Sequence, residues 1–202
     1  MYNSWEEYLL CQCLLLLLLL GYYLKKTDFD YKCMVSESEE NAHHFLTQSF
    51  KYFIQQHQRC IKLYEILYFL TERLMFVIML GSSALLIIAG STMVVLMDSH
   101  VPMAIKMFVC CWAAMIVILF ICVPGQLLSN AGHEFFIECY CVNWHGYPPK
   151  ARVLLLLILV RTKKPLVLRA GFLADLSFET CSSVLKKAAS FVTALRSIYT
   201  AF

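Results

Sequence analysis

Charged side chains are scarce. They make up 15% of the 202 residues, against 60% hydrophobic residues. A soluble domain of this size needs more charge to cover its surface, so the composition points instead to a polytopic membrane protein. The formal net charge of +3 is small, and the basic residues lie dispersed between apolar runs, so no nucleic-acid partner is expected. No acid, base and nucleophile converge into a catalytic set, which argues against an enzyme. Metal-ligand spacing is also missing. His133, Cys139, Cys141 and His145 come nearest, fit no strong template, and gain no hydrolase motif from Glu134 and Glu138. His43-His44 has no partner at ligand spacing and reads as surface histidine. No metal or other cofactor is expected. The ten cysteines do not suggest a disulfide framework. Cys110, Cys111 and Cys122 sit in an apolar run, where cysteine behaves as a small hydrophobe. Cys139 and Cys141 fall in a segment assigned below to the reducing cytoplasm. The first apolar run is not expected to be a secretory signal. Glu6 and Glu7 precede the first apolar run, and Tyr22-Tyr23-Leu24-Lys25-Lys26 follows it.

What is present is a succession of helical patterns. Residues 9–24 are apolar apart from Gln12, and Lys25-Lys26 marks a cytoplasmic end, so residues 1–26 read as a partial transmembrane helix. Residues 27–44 are polar and acidic and read as a loop. Across residues 45–73, Leu46, Phe50, Phe53, His57, Ile61, Tyr64 and Tyr68 recur at helical spacing, with Lys51, Arg59, Lys62 and Arg73 on other faces. This is an amphipathic cytoplasmic helix, in which His57 reads as a packing or hydrogen-bonding residue. It runs without a Gly or Pro break into residues 74–97, a span of 24 residues with no formal charge. One long helix entering the membrane near Arg73 is expected. Small-residue patches at Gly81-Ser82-Ser83-Ala84 and Ala89-Gly90-Ser91-Thr92 favour close helix packing. Residues 98–102 form an extracellular turn and residues 103–124 the return span. Lys106, near the start of that span, either snorkels to the interface or has a functional role.

Residues 125–177 read as a cytoplasmic segment. Pro124-Gly125 is expected to end the span, followed by a short helix over 129–144, a Pro148-Pro149 break and a second short helix over 152–160. Pro165 and Gly171 then turn the chain. The turn after residue 97 lacks Lys and Arg, whereas basic residues flank the spans on either side. The positive-inside rule therefore places the turn outside, both flanks inside and the C-terminus outside the cell.

The final stretch, residues 178–202, is the most informative. Glu179, Ser183, Lys186, Ser190, Thr193, Ser197 and Thr200 alternate at steps of four and three, which aligns them along one stripe of a helix. Val184, Leu185, Phe191, Val192, Leu195, Ile198 and Tyr199 occupy the opposite side. A helix of this length rises roughly 35 Å, enough to cross a bilayer. Three readings of the stripe are open: the wall of an aqueous pore, a close helix–helix contact, or the wet face of an interfacial helix.

An ordered set of residues resembles the insect odorant receptors, a seven-helix chemoreceptor family unrelated to G-protein-coupled receptors. The set comprises Gly125 and Ser129, Tyr140 and Trp144, Arg152 and the Leu-rich turn, Arg161, Lys164-Pro165, Ala170-Gly171 and Ser177. Leu185, Ser190-Phe191, Thr193 and Leu195-Arg196 complete it, and His57-Gln58 fits the family's cytoplasmic loop. The resemblance implies a ligand-gated cation channel, opened by a volatile small molecule and shared with a co-receptor subunit in a sensory neuron's plasma membrane. It implies that the last helix lines the pore, through Ser183, Lys186, Ser190, Thr193 and Ser197. It also implies a cytoplasmic anchor between subunits, for which Trp144, Arg152, Leu156 and Pro165 are the candidates. The co-receptor's long insertion before the fifth helix is absent, which favours a tuning subunit. About four membrane helices are counted against seven, with the first three lacking, so the expectation is an all-α, truncated transmembrane bundle. That form is expected not to bind odorant normally by itself. Alternatives are a gustatory-type receptor, whose aromatic ending with a Gln-Phe pair is not found here, and a non-conducting multi-span scaffold.

Overall fold

A computed structural model describes residues 4–36, 38–96, 100–172 and 174–201. Among these, five α-helices account for most of the chain: α1 (Ser4–Val35), α2 (Glu39–Leu96), α3 (Val101–Cys141), α4 (Pro149–Thr162) and α5 (Phe178–Ala201). A single 3-10 turn, Trp144–Gly146, precedes α4. A two-residue antiparallel hairpin, β1 (Arg169–Ala170) with β2 (Ala174–Asp175), precedes α5. Gly171 turns that hairpin with φ +57°, a conformation costly for any side-chain-bearing residue. α1, α2 and α3 are each long and apolar enough to cross a membrane. α5, with its lysines and hydroxyls, is not among the helices that meet that measure.

The chain divides into two units. One contains α1, α2 as far as Phe69, and Leu127–Leu166. In it α1 and α2 run antiparallel: Cys13 lies beside Cys60 (Sγ–Sγ 3.7 Å), Tyr23 beside Tyr52 and Tyr31 beside His43. Each helix contributes one buried stripe at steps of three and four. Cys13, Leu17, Leu20, Leu24, Thr27 and Tyr31 come from α1; Leu46, Phe50, Phe53, His57 and Cys60 come from α2. Phe135 and Cys139 of α3, and Ala151, Leu155 and Ile158 of α4, close the core. Each fully buried Leu or Phe here contributes about 1.5–3 kcal/mol relative to exposure.

The other unit contains α2 from Leu70, α3 as far as Gln126, and the chain from Val167. Its core is the cluster Ile118, Cys122 and Cys181, packed with Leu86, Val184 and Leu185. Val77 and Ile88 of α2, and Ile105, Val109, Trp112 and Phe120 of α3, are exposed. So much apolar surface turned outward suits a lipid solvent and not water. Gly90 forms a notch: a Cβ there would stand 2.8 Å from Val192 Cγ2 of α5. The small-residue patch around Gly90 thus receives α5, whereas Gly81 faces nothing within 4 Å.

Three expectations about the path of the chain need correction. Residues 27–44 are not a loop. Helix continues to Val35 and resumes at Glu39, because Thr27 and Tyr31 are buried and Lys32 pairs with Asp28 at 2.6 Å. Pro124-Gly125 does not end its helix; α3 runs through it to Cys141. An internal proline costs about 3 kcal/mol, and the residues on both sides (Ile121, Cys122, Leu128) are buried tightly enough to offset it. Gly125 also has a task of its own, since a Cβ there would overlap the Leu176 carbonyl. The short helix expected over 152–160 extends across Pro149–Thr162, with Pro149 at its favoured first position. The continuity expected through residue 73 is found, as α2 is unbroken for 58 residues. Of the turn at 98–102, Asp98 and Ser99 lie outside the described residues.

Candidate functional site

α5 begins at a cap. The Thr180 backbone N–H donates to Ser177 Oγ at 3.2 Å, and the Phe178 N–H donates to Gln126 Oε1 at 3.2 Å. From there the helix has two distinct sides. Cys181 and Ala188 are buried, and Val184, Leu185, Val192 and Leu195 are half-buried. These six positions lie within about 100° of arc. Glu179, Lys186, Ser190, Thr193 and Ser197 are exposed and Ser183 half-buried, on an arc centred nearly opposite. Thr193 Oγ1 donates to the Ser190 carbonyl at 2.9 Å, and Ser197 Oγ to the Ala194 carbonyl at 2.8 Å. A hydroxyl whose proton is used within its own helix presents oxygen lone pairs outward. The apolar side is narrower than the sequence suggests. Phe191 and Ile198 are 50% and 55% exposed, between the two arcs. The side chains of Tyr199 and Thr200 lie outside the described residues.

The four anchor candidates meet different surroundings. Arg152 uses its guanidinium on its own chain: Nε donates to the Tyr147 carbonyl at 2.6 Å and Nη2 to the His145 carbonyl at 3.1 Å. It therefore staples the 3-10 turn to α4. Trp144 lies on that turn, partly exposed, with its ring 3.7 Å from His145. Leu156 belongs to an exposed apolar face of α4, with Val153, Leu157 and Val160 at helical spacing. Pro165 is exposed beyond the helix. His133, Cys139, Cys141 and His145 are not brought together, and among the described residues no His/Cys/Asp/Glu group could hold a metal ion.

The residues that organise this unit were not legible in the sequence. Tyr147 is buried and donates its phenol to Asp28 Oδ1 at 2.6 Å; Tyr31 donates to the Gly146 carbonyl at 3.1 Å. Burial, and then the Asp28 carboxylate, push the Tyr147 phenol well above its ordinary range. Lys25 meets Glu138 at 2.7 Å. Burial raises the Cys139 thiol to about 12. His57 stacks on Phe135 and Phe53, with centroids 5.5 and 6.5 Å away. Burial first, then the Arg161 charge, push its imidazole down to about 4, so it is neutral at physiological pH.

The family model described as 7tm Odorant receptor matches residues 1–189. The chain belongs to the 7tm odorant receptor family. Among relatives of this odorant receptor chain is Odorant receptor 85c of Drosophila melanogaster, 24% identical over 178 residues, covering 85% of this chain and 44% of the relative. Odorant receptor 85b of Drosophila melanogaster is 27% identical over 96 residues, covering 48% of this chain and 25% of the relative. The insect olfactory receptor OR5 from Machilis hrabei, solved in complex with eugenol, superposes with a TM-score of 0.59 at 12% identity. That match covers 90% of this chain and 45% of the solved one, and it shows the shared helical fold. The chain thus spans less than half the length of the proteins it matches. Its three helices long and apolar enough to cross a membrane fit that family.

Proposed function

We propose that this chain is the tuning subunit of an odorant-gated cation channel, opened by a volatile small molecule and assembled with a co-receptor subunit in the plasma membrane. One observation carries this reading: the packed arc of α5 and its polar arc lie on opposite sides of the helix. An arc of serine and threonine turned away from the chain's own core suits a water-filled path, because hydroxyl oxygens can stand in for part of a cation's hydration shell. On this reading Ser183, Lys186, Ser190, Thr193 and Ser197 line the pore. The basic flanks support a cytoplasmic anchor and an extracellular C-terminus. The exposed face of α4 around Leu156, with Trp144 on the neighbouring turn, meets a second subunit in that anchor.

The test is thiol accessibility in a competent full-length receptor that carries this α5 and is assembled with its co-receptor. Ser190→Cys and Thr193→Cys react with aqueous thiosulfonate reagents and lose odorant-evoked current. Val192→Cys, seated against Gly90, does not. The unsubstituted chain sets the background from its own exposed cysteines. Equal modification at all three positions removes the pore assignment.

A further inference from the structure

The unit containing α1 and α4 holds a cavity of about 480 Å³ that the channel reading does not use. Its size suits a small organic ligand. Ile54 and Ile61 of α2, with Leu157 and Ile158 of α4, supply apolar walls. Lys62 and Arg161 bring positive charge to it from the two helices, and Glu65 is the one carboxylate among the lining residues. Neither cation is in an ion pair with any described carboxylate. The third polar feature is His57. It is 7% exposed, yet no hydrogen bond to a described residue takes its ring nitrogens. Among the described residues no unpartnered side-chain nitrogen or oxygen is sealed from solvent, so the imidazole edge opens into the cavity it lines. A ring N–H that faces the cavity can donate to a ligand acceptor placed there.

We propose that this cavity is a binding site for a small amphipathic phosphate. The phosphate oxygens sit between Lys62 and Arg161, the His57 N–H donates to one of them, and the ligand's apolar part covers the isoleucine wall. Two cations and a neutral N–H donor suit a phosphate, whose charge and several oxygens can engage all three. The α5 face contributes nothing here, so the site stands whether or not α5 lines a pore.

The experiment is equilibrium dialysis of radiolabelled hexyl phosphate against the purified full chain in phosphatidylcholine nanodiscs, with empty discs subtracted. Saturable binding at one site per chain is expected. Lys62→Gln combined with Arg161→Gln weakens it at least tenfold. Lys51→Gln combined with Lys150→Gln, which removes the same charge elsewhere, leaves it unchanged. Leu157→Trp, an exposed position at the cavity wall, blocks it with no change of charge. Hexanol does not compete. Adding phosphatidic acid to the discs identifies the source: displacement of hexyl phosphate marks a lipid headgroup, and no displacement marks a soluble phosphate. Binding that does not saturate, or equal binding by the Lys62/Arg161 variant and the chain itself, overturns the proposal.

Discussion

Acidification should loosen the unit that contains α1 and α4 through His57. The imidazole is held near 4 in the folded chain against an ordinary 6.5, by burial first and then by Arg161. A depressed histidine favours the neutral form. Its contribution is therefore fully present above 6.5 and is lost as pH falls from 6.5 towards 4. The shift corresponds to about 3 kcal/mol when lost in full, and linkage gives about 2 kcal/mol at about pH 5. The charged groups around the ring are Lys62 and Glu65 on α2 and Arg161 on α4; from α3 it meets Phe135. The assay is amide hydrogen exchange across residues 53–61, corrected for the intrinsic pH dependence of exchange. Protection should fall about thirtyfold between about pH 7.5 and pH 5, which is the 2 kcal/mol expressed as an opening constant. His57→Phe keeps a ring in the stack and cannot charge, so its protection should stay flat while Lys62, Glu65 and Arg161 remain. An identical loss in that variant would falsify the assignment to His57.

Two further outcomes follow from packing. Gly125→Ala should cost about 1–3 kcal/mol, since its methyl would overlap the Leu176 carbonyl. Gly81→Ala, facing open space, should be neutral or slightly stabilising. Thermal stability of the detergent-extracted chain compares them, and similar midpoints for both would remove the close approach as a constraint. At the anchor, Trp144→Ala and Leu156→Ser should each reduce co-purification of the co-receptor at unchanged expression. Undiminished recovery from both counts against an interface on this turn and on α4.

Periodicity was the legible part of the chain. The steps of three and four from Leu46 to Tyr68, with no Gly or Pro before Leu74, spell out α2 as one helix. The hydroxyl repeat of α5 is local in the same way, and all its described positions except half-buried Ser183 are exposed. Contacts at long range were not legible. Nothing near Tyr147 announces that its partner is Asp28, 119 residues earlier, and that bond organises the turn on which Trp144 sits. Local rules also failed where packing outweighed them. Pro124 reads as a helix end, yet the burial of Ile121, Cys122 and Leu128 carries the helix through. Residues 27–35 read as solvated from their charges, but Thr27 and Tyr31 face inward between those charges. Phe191 and Ile198 show the opposite failure: apolar character alone does not tell a core from a lipid or a neighbouring subunit.

The seating of Val192 against Gly90 limits how α5 can travel. A piston stroke of one helical turn would carry that isopropyl group onto Leu86 or Val94, where the flank of α2 offers no recess. Swivelling about the same point keeps it seated. On the channel reading proposed above, movement of α5 is then better served by a pivot at Gly90 than by a plunger.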